Sequence, residues 1–379
     1  MKNRGTALCL VAIFLILSAT LLFSCAKKEE TIKIGVAGPM TGDQSKMGID
    51  IKNGTELAVK EWNQKGGVLG KKIELLVEDD QHDPKQAVSV ANKLVNAGAA
   101  GIIGHFNSSA SIPASSVYSR AKIPMITPAS TNPQLTEQGF TNVFRICGRD
   151  DQQGLAAATF VTEVLKLKKV SVLHDKTTYG QGLADEFVKA LGNRVEVVYY
   201  NGIIQGDKDF RAVLTALKGK GAELLYFGGI YPEGGLIIKQ ARELGINIPL
   251  MSGDGVIDPK FIEIAGTASE GSYLTFSPDT KNLPSAKGFL SSYSSGYGEP
   301  GPYSIYAYDA ANVLLHAIDT AKSTGGPAIS KAIHEMKHTG ALGGLQWDAK
   351  GDILQSPYVV WITRNGKFEE YWKPGEAIQ

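Results

Sequence analysis

The sequence predicts an α/β protein of two doubly wound, Rossmann-like lobes that are joined by a hinge. Three observations lead to this fold class. Short β-rich runs alternate with amphipathic stretches, a pattern that indicates parallel sheets covered by helices. The alternation restarts after residues 144–154. In addition, a chain of 379 residues is too long for one small core and favours two domains.

The first half of the chain predicts a βαβ series. Strand-like residues 31–38 precede a segment in which Ile51, Ala58 and Trp62 recur at helical spacing. Further strands are predicted at 71–80, 101–104 and 123–127, and helices at 84–96 and 112–120. Pro84 supports the second of these helix starts, because proline suits the first turn of a helix.

The second half repeats the alternation. Four predicted helices at 155–165, 183–191, 210–217 and 236–244 alternate with predicted strands at 168–175, 194–200, 222–229 and 248–255. A long helix is expected at 303–322. Residues 356–372 read as a hairpin, because Asn365-Gly366 is a favoured two-residue turn.

The N-terminus has the features of an export signal. Lys2 and Arg4 are followed by the almost wholly apolar run from Ala7 to Phe23, and no later run is apolar enough to cross a bilayer. We therefore expect residues 1–24 to be a signal peptide and the mature protein to be exported.

A lipid anchor is expected directly after that signal. Residues 21–25 (LLFSC) resemble a bacterial lipobox, in which Cys25 becomes the lipid-modified first residue and residues 25–30 the linker. The mature protein would then lie in the periplasm or on the outer face of the cell membrane. Ordinary cleavage after Ala26 is the alternative.

Composition excludes several classes of partner. The formal net charge is +1 with no basic block, so nucleic acid is not an expected partner. Of the three cysteines, Cys9 leaves with the signal and Cys25 is the acylation site, which leaves only Cys147 and no internal disulfide. Phosphate-binding glycine motifs are absent, and no cofactor is expected.

One motif favours an enzyme instead. His334, Glu335 and His338 match the HExxH pattern of zinc hydrolases, which place two histidines on one helical face beside a glutamate base. No histidine follows His338, and Gly340 ends the helix at once. A solvated helix end is the simpler interpretation, and zinc hydrolysis remains a remote alternative.

Polar residues collect where predicted strands end. Asn107, Ser108 and Ser109 follow one strand, Ser130 and Thr131 follow the next, and Tyr179 and Asp254 follow two strands of the second half. Ligands of doubly wound folds bind beyond the carboxyl ends of the strands, so the cleft between two such lobes is the expected site.

These stretches, taken together, carry a family resemblance. The chain resembles the branched-chain amino-acid binding proteins of ABC importers, which have the type I periplasmic binding protein fold. The resemblance runs in colinear order through nearly the whole mature chain and includes GHFNSSASIPAS, PMITPASTNPQLT, VLHDKTTYGQGLA and GDKDFRAVLTALK. It implies an N-terminal lobe of residues 31–149 and 279–351 and a C-terminal lobe of 150–278 and 352–379.

The resemblance implies a non-enzymatic function. A protein of this family captures an amino acid, here leucine, isoleucine or valine as the first expectation, and delivers it to a membrane permease. An aromatic amino acid or a small amide or carboxylate is the alternative ligand. A sensory ectodomain of the same fold also stays open.

Site roles follow from the same resemblance. Ser108 would hold the ligand carboxylate, Thr131 would support carboxylate and ammonium, the Ala129 carbonyl would accept an ammonium hydrogen, and Asp254 would neutralise the ammonium. The remaining expected ligand-binding residues are Ser130, Tyr179, Tyr303, Met47 and Ile230. The cysteine pair that staples two loops in some members is replaced here by His82 and Asn107.

Overall fold

The computed structural model describes residues 30–376, which form two sheets flanked by helices and a small hairpin. The predicted signal peptide, Cys25 and the linker up to residue 29 lie outside the described residues. Within the described part of the chain, no helix is both long and apolar enough to cross a membrane.

The first sheet has five parallel strands in the order β2-β1-β3-β4-β5. Its strands are β1 (Ile32–Gly38), β2 (Ile73–Asp79), β3 (Gly101–Gly104), β4 (Met125–Thr127) and β5 (Val143–Arg145). The central strand β3 is buried along its whole length, as expected of a parallel sheet covered on both faces.

The second sheet has seven strands in the order β14-β13-β10-β9-β8-β6-β7. Its strands are β6 (Lys169–His174), β7 (Glu196–Gly202), β8 (Leu224–Gly228), β9 (Leu250–Ser252), β10 (Tyr273–Phe276), β13 (Val359–Arg364) and β14 (Lys367–Trp372). Strands β13 and β14 are antiparallel additions, and the others pair in parallel. The small hairpin pairs β11 (His338–Gly340) with β12 (Gly343–Leu345).

Helices connect and cover these strands. Those before residue 150 are α1 (Ser45–Gln64), α2 (Pro84–Asn96), α3 (Ser108–Ala121) and α4 (Gln134–Glu137). Those that follow are α5 (Asp150–Thr159), α6 (Thr178–Leu191), α7 (Arg211–Leu217), α8 (Tyr231–Glu243), α9 (Pro259–Ala265), α10 (Lys287–Tyr297), α11 (Ser304–Ala321) and α12 (Gly326–Glu335). Helix α11 packs against α1, which returns the chain to the first sheet after the second sheet is built.

The parallel strands of both sheets follow one winding order. Each first strand lies between the second and the third, so the loops after the first and third strands diverge and leave a crevice. Three connections link the two halves, at residues 146–149, 277–279 and 346–358. The fold class predicted from sequence is thereby confirmed. The exact lobe boundaries at 149/150, 278/279 and 351/352 fall in these connections and stay a prediction.

Several element predictions need correction. Helix α3 begins at Ser108 rather than at Ile112 and includes Pro113 in its first turns. Strands β5 and β10 were not predicted, because three or four residues are too few for a clear alternation. The predicted C-terminal hairpin is confirmed, with Asn365 and Gly366 at φ 50° and 69° in its turn.

Replacing Gly366 with alanine should lower the free energy of unfolding by about 1 kcal/mol, because its positive φ is costly for a residue with a Cβ atom. No neighbouring atom would contact the added Cβ, so the backbone strain acts alone. Gly288→Ala, in helix α10 with equally open surroundings, is the matched control and should leave stability unchanged or slightly raised. Urea unfolding measures both, and equal effects would contradict the prediction.

Candidate ligand-binding site

A small cavity of about 20 Å³ lies between loops that follow strands of the two sheets. Its lining from the first half and the long helix region comprises Phe106, Asn107, Ser108, Ala129 and Tyr303. Its lining from the second sheet comprises Tyr179, Ile230, Asp254 and Gly255. The cavity therefore lies at the carboxyl ends of both parallel sheets, where the winding order leaves the crevice.

The N-terminus of helix α3 forms one end of the cavity. Asn107, at the N-cap, makes no side-chain capping hydrogen bond and instead donates its amide to Gln44 Oε1 at 2.8 Å. In the described part of the chain, the N–H groups of Ser108 and Ser109 find no backbone or side-chain acceptor. Free N–H groups at a helix start, with the buried Ser108 hydroxyl beside them, suit an anionic group.

The loop after β4 lies beside this helix start. The Asn132 N–H donates to Ser108 Oγ at 3.2 Å, and the Ser130 N–H donates to Thr127 Oγ1 at 2.9 Å. The Thr131 hydroxyl is buried and has no hydrogen bond of good geometry among residues 30–376. The Asp150 carboxyl is the nearby acceptor for this hydroxyl, since a hydrogen bond from Thr131 is among the causes that oppose the rise in the pKa of Asp150.

The Asp254 carboxyl forms the opposite end of the cavity. Tyr179 donates to Asp254 Oδ1 at 2.9 Å, Tyr303 donates to Oδ2 at 2.9 Å, and Gln153 Nε2 donates to Oδ1 at 3.0 Å. Gly255 keeps Tyr179 in place, because its N–H donates to the phenol oxygen and a Cβ there would lie 2.8 Å from that oxygen. The carboxyl is therefore buried but well supplied with donors.

Ionisation at this end is set by burial and hydrogen bonding. Burial raises the pKa of Asp254, and the hydrogen bonds from Gln153, Tyr179 and Tyr303 oppose that rise. Burial, followed by the nearby Asp254 carboxyl, also raises the pKa values of both tyrosines, so they remain proton donors. Burial and then Asp254 raise the pKa of Asp150 well above its usual value, which favours a neutral Asp150.

The structure brings six of the expected ligand-binding residues to the cavity: Ser108, Ala129, Tyr179, Ile230, Asp254 and Tyr303. Three others do not line it. Met47 is packed in the hydrophobic core. The Ser130 hydroxyl is fully buried and hydrogen-bonded to the Phe106 carbonyl and to Ser111. These bonds connect the loop to the turn after β3. Thr131 is buried behind the lining.

Sequence reasoning missed Gly255, described above, and two further neighbours of the site. Phe106 lines the cavity and meets Tyr303 edge to face, with ring centroids 5.0 Å apart. Gln153 holds Asp254 through both its amide groups, since its Oε1 also accepts the Asp254 N–H at 2.8 Å. Gln153 is a polar residue in the stretch RDDQQG, for which the sequence analysis proposed no role. Its position in that stretch was the sequence feature that could have indicated a contact with the site.

The HExxH residues do not share a helical face. Helix α12 ends at Glu335, Met336 is extended, and His338 begins β11. His334 Nε2 lies 3.1 Å from the Thr141 carbonyl, whereas His338 lies beside His316 with ring centroids 5.0 Å apart. No group of three or more metal-ligating side chains occurs within residues 30–376. The spacing that suggested zinc depends on a helix that stops three residues too early.

Polar contacts also join the two halves around the cavity. Asn132 donates to the Thr178 carbonyl at 2.7 Å, Gln205 Nε2 lies 3.0 Å from His82 Nδ1, and Lys208 pairs with Asp43 at 3.1 Å. Tyr231 also donates to the Asp43 carbonyl. Tyr303, which precedes α11, reaches Asp254 of the second half. The structure is therefore a closed arrangement of the two lobes.

Two α/β lobes that enclose a small cavity with donors at one end and a carboxyl at the other define a bilobal solute-binding protein. The chain belongs to the periplasmic binding protein family, whose sequence pattern matches residues 31–367.

Relatives at the level of sequence and structure agree with this membership. Leu/Ile/Val-binding protein homolog 2 of Brucella abortus (strain 2308) is 42% identical over 342 residues, covering 90% of this chain and 92% of the relative. The amino acid binding protein of Pseudomonas aeruginosa is also 42% identical, over 335 residues, covering 87% of this chain and 89% of the relative.

Solved structures share the architecture. The leucine-binding protein LivK from Thermotoga maritima superposes with a TM-score of 0.84 at 34% identity, covering 91% of this chain and 99% of that one. The branched-chain amino acid binding protein LivJ from Streptococcus pneumoniae, solved in complex with isoleucine, gives 0.83 at 31% identity, covering 91% and 100%.

Removing either tyrosine hydroxyl should raise the pKa of Asp254 further in the ligand-free protein. Tyr179→Phe and Tyr303→Phe each delete one donor to the carboxylate, and such donors favour its charged form. Carbon-13 NMR titration of aspartate-labelled protein, assigned with Asp254→Asn, measures the shift. Tyr226→Phe is the control, since that buried hydroxyl has no hydrogen-bond partner within residues 30–376. An equal shift in the control would refute the hydrogen-bond explanation.

Proposed function

We propose that this protein is an extracytoplasmic solute-binding protein that captures leucine, isoleucine or valine between its lobes and delivers it to an ABC permease. The observation that carries the proposal is the opposed chemistry of one small cavity. Unused N–H and hydroxyl donors lie at one end, and the Asp254 carboxyl lies at the other. The names of the relatives support the same ligand class.

An α-amino acid fits this arrangement because it is a zwitterion. Burying either of its charges without a partner costs several kcal/mol. The helix α3 start, with Ser108, would receive the carboxylate. Asp254 would receive the ammonium, together with the Ala129 carbonyl, to which no group within residues 30–376 donates a hydrogen bond.

The apolar part of the lining would receive the side chain. Phe106, Tyr179, Ile230 and Tyr303 supply this surface, whose burial contributes about 25 cal/mol per Å². In this closed arrangement the cavity, at about 20 Å³, has room for little more than one water molecule, so the lobes must move apart to admit any amino acid.

Ligand binding would also favour the closed lobes. The two poles of the ligand would contact groups from different halves of the chain, so the ligand stabilises the closed state more than the open state. We propose that lobes of residues 31–149 with 279–351 and 150–278 with 352–379 close in this way. The permease would recognise the closed shape.

The remaining parts of the proposal concern location and chemistry. Lipidation of Cys25 after removal of residues 1–24 would hold the protein at the outer face of the cell membrane or in the periplasm. We propose binding rather than catalysis, because the family to which the chain belongs consists of binding proteins. Mass spectrometry of the protein from membranes tests the acylation, and Cys25→Ala should release it from them.

Asp254→Ala should weaken leucine binding at least about tenfold, because the buried ammonium would lose its charged partner. Ser108→Ala should weaken binding less, since the helix N–H donors remain. Ser109→Ala is the control, because the neighbouring residue would contribute only its backbone N–H. Isothermal titration calorimetry measures all three, and unchanged leucine affinity in Asp254→Ala would refute the assignment.

A thermal-shift screen of the mature protein against all amino acids and small amides should show the largest stabilisation with leucine, isoleucine or valine. A ligand at a hundredfold excess over Kd stabilises by about 2.7 kcal/mol. A larger shift with phenylalanine or a small amide would favour the alternative ligands. Stoichiometric zinc in the purified protein would revive the hydrolase hypothesis.

A further inference from the structure

The three carbonyl groups that follow Ala129 all point to the hinge side of their loop. Arg145 Nη1 donates to the Ser130 carbonyl at 2.7 Å, and Arg145 Nη2 donates to the Asn132 carbonyl at 3.0 Å. Between them, the Asp150 N–H donates to the Thr131 carbonyl at 2.9 Å. The Ala129 carbonyl, by contrast, receives no hydrogen bond from the described part of the chain.

Peptide geometry converts the bonds to the Ser130 and Thr131 carbonyls into orientations of the Thr131 and Asn132 N–H groups, whereas the Asn132 carbonyl precedes Pro133, which has no N–H. In a trans peptide the C=O and the following N–H point in opposite directions. The Asn132 N–H, opposite the carbonyl held by Asp150, indeed points to Ser108, which lines the cavity. By the same geometry, holding the Ser130 carbonyl turns the Thr131 N–H away from Arg145. That N–H has no acceptor within residues 30–376.

Arg145 is itself rigidly held. Its side chain is 0% exposed, and Nε donates to Asp352 Oδ1 at 2.6 Å. Its backbone N–H and carbonyl bond to Gly351 and to the Trp347 indole at 2.9 and 2.8 Å. The guanidinium is a fixed fork, so it can hold two carbonyls and a carboxylate together, which an ammonium cannot do.

We infer that Arg145 is a positioning residue for carboxylate recognition: its guanidinium holds the Ser130 and Asn132 carbonyls so that the Thr131 N–H faces the ligand carboxylate beside Ser108. Because Arg145 also bonds to Trp347, Gly351 and Asp352 of the lobe connection at 346–358, it ties the loop to that connection. The inference rests on the proposed function and adds a residue that contacts no ligand.

The test compares leucine with leucinamide, which lacks the carboxylate but keeps the ammonium and the side chain. Calorimetry gives the ratio of the two Kd values for each variant. Arg145→Met should lower the preference for leucine at least tenfold, because the Thr131 N–H loses its orientation. Arg145→Lys should lower the preference for leucine at least threefold. One ammonium group cannot donate to both carbonyls and to Asp352 with good hydrogen-bond angles.

Arg149→Met is the matched control. Arg149 pairs with the same Asp352 carboxylate and with Asp151 but contacts no carbonyl of the loop, so its loss should leave the leucine-to-leucinamide ratio unchanged. A structural role alone would weaken both ligands equally in the Arg145 and Arg149 variants, and that result would overturn the inference.

Two further outcomes are decisive. If Arg145→Met does not fold, as judged by circular dichroism, Arg145→Lys carries the test, and an unchanged ratio in that variant overturns the inference. If the unaltered protein binds no leucine, the proposed function fails and the inference falls with it. Leucine binding with unchanged ratios refutes the positioning role alone.

Discussion

The site depends on keeping one carboxyl group, that of Asp254, inside the protein. A buried carboxylate is tolerated only when hydrogen-bond donors replace water. Tyr179 and Gln153 supply donors from the same half of the chain, and Tyr303 supplies one from the region that returns to the first sheet. Since Tyr303 crosses between the halves, the same bonds that satisfy Asp254 also hold the lobes together.

Sequence was informative wherever a short local pattern determines geometry. The apolar run before Ser108 ends a parallel strand, and the polar residues after it begin a helix, so a strand-to-helix turn at this edge of the sheet was predictable. Asn365-Gly366 likewise determines its own turn. That Ser108 and Asp254 meet at one cavity follows from both strands ending at the carboxyl edges of wound sheets, together with the family resemblance.

Local sequence patterns could not predict the direction of a side chain or a contact between residues far apart in the sequence. Ser130 and Thr131 are neighbours in the sequence, yet the Ser130 hydroxyl is used up by Phe106 and Ser111. Gln153 lies 101 positions from Asp254, and nothing local connects the two. His338 shows the reverse error, because its spacing from His334 has chemical meaning only on a continuous helix.

The two poles of the cavity are unequal when no ligand is present. The acidic pole already has hydrogen-bond donors, whereas the buried N–H groups of Ser108 and Ser109 at the opposite pole have no acceptor within residues 30–376. The ligand-free protein can therefore close with the Asp254 carboxyl fully hydrogen-bonded. The N–H groups at the opposite pole still lack an acceptor in that state. An anionic group on the ligand would supply the missing acceptor for these N–H groups and so stabilise the closed lobes.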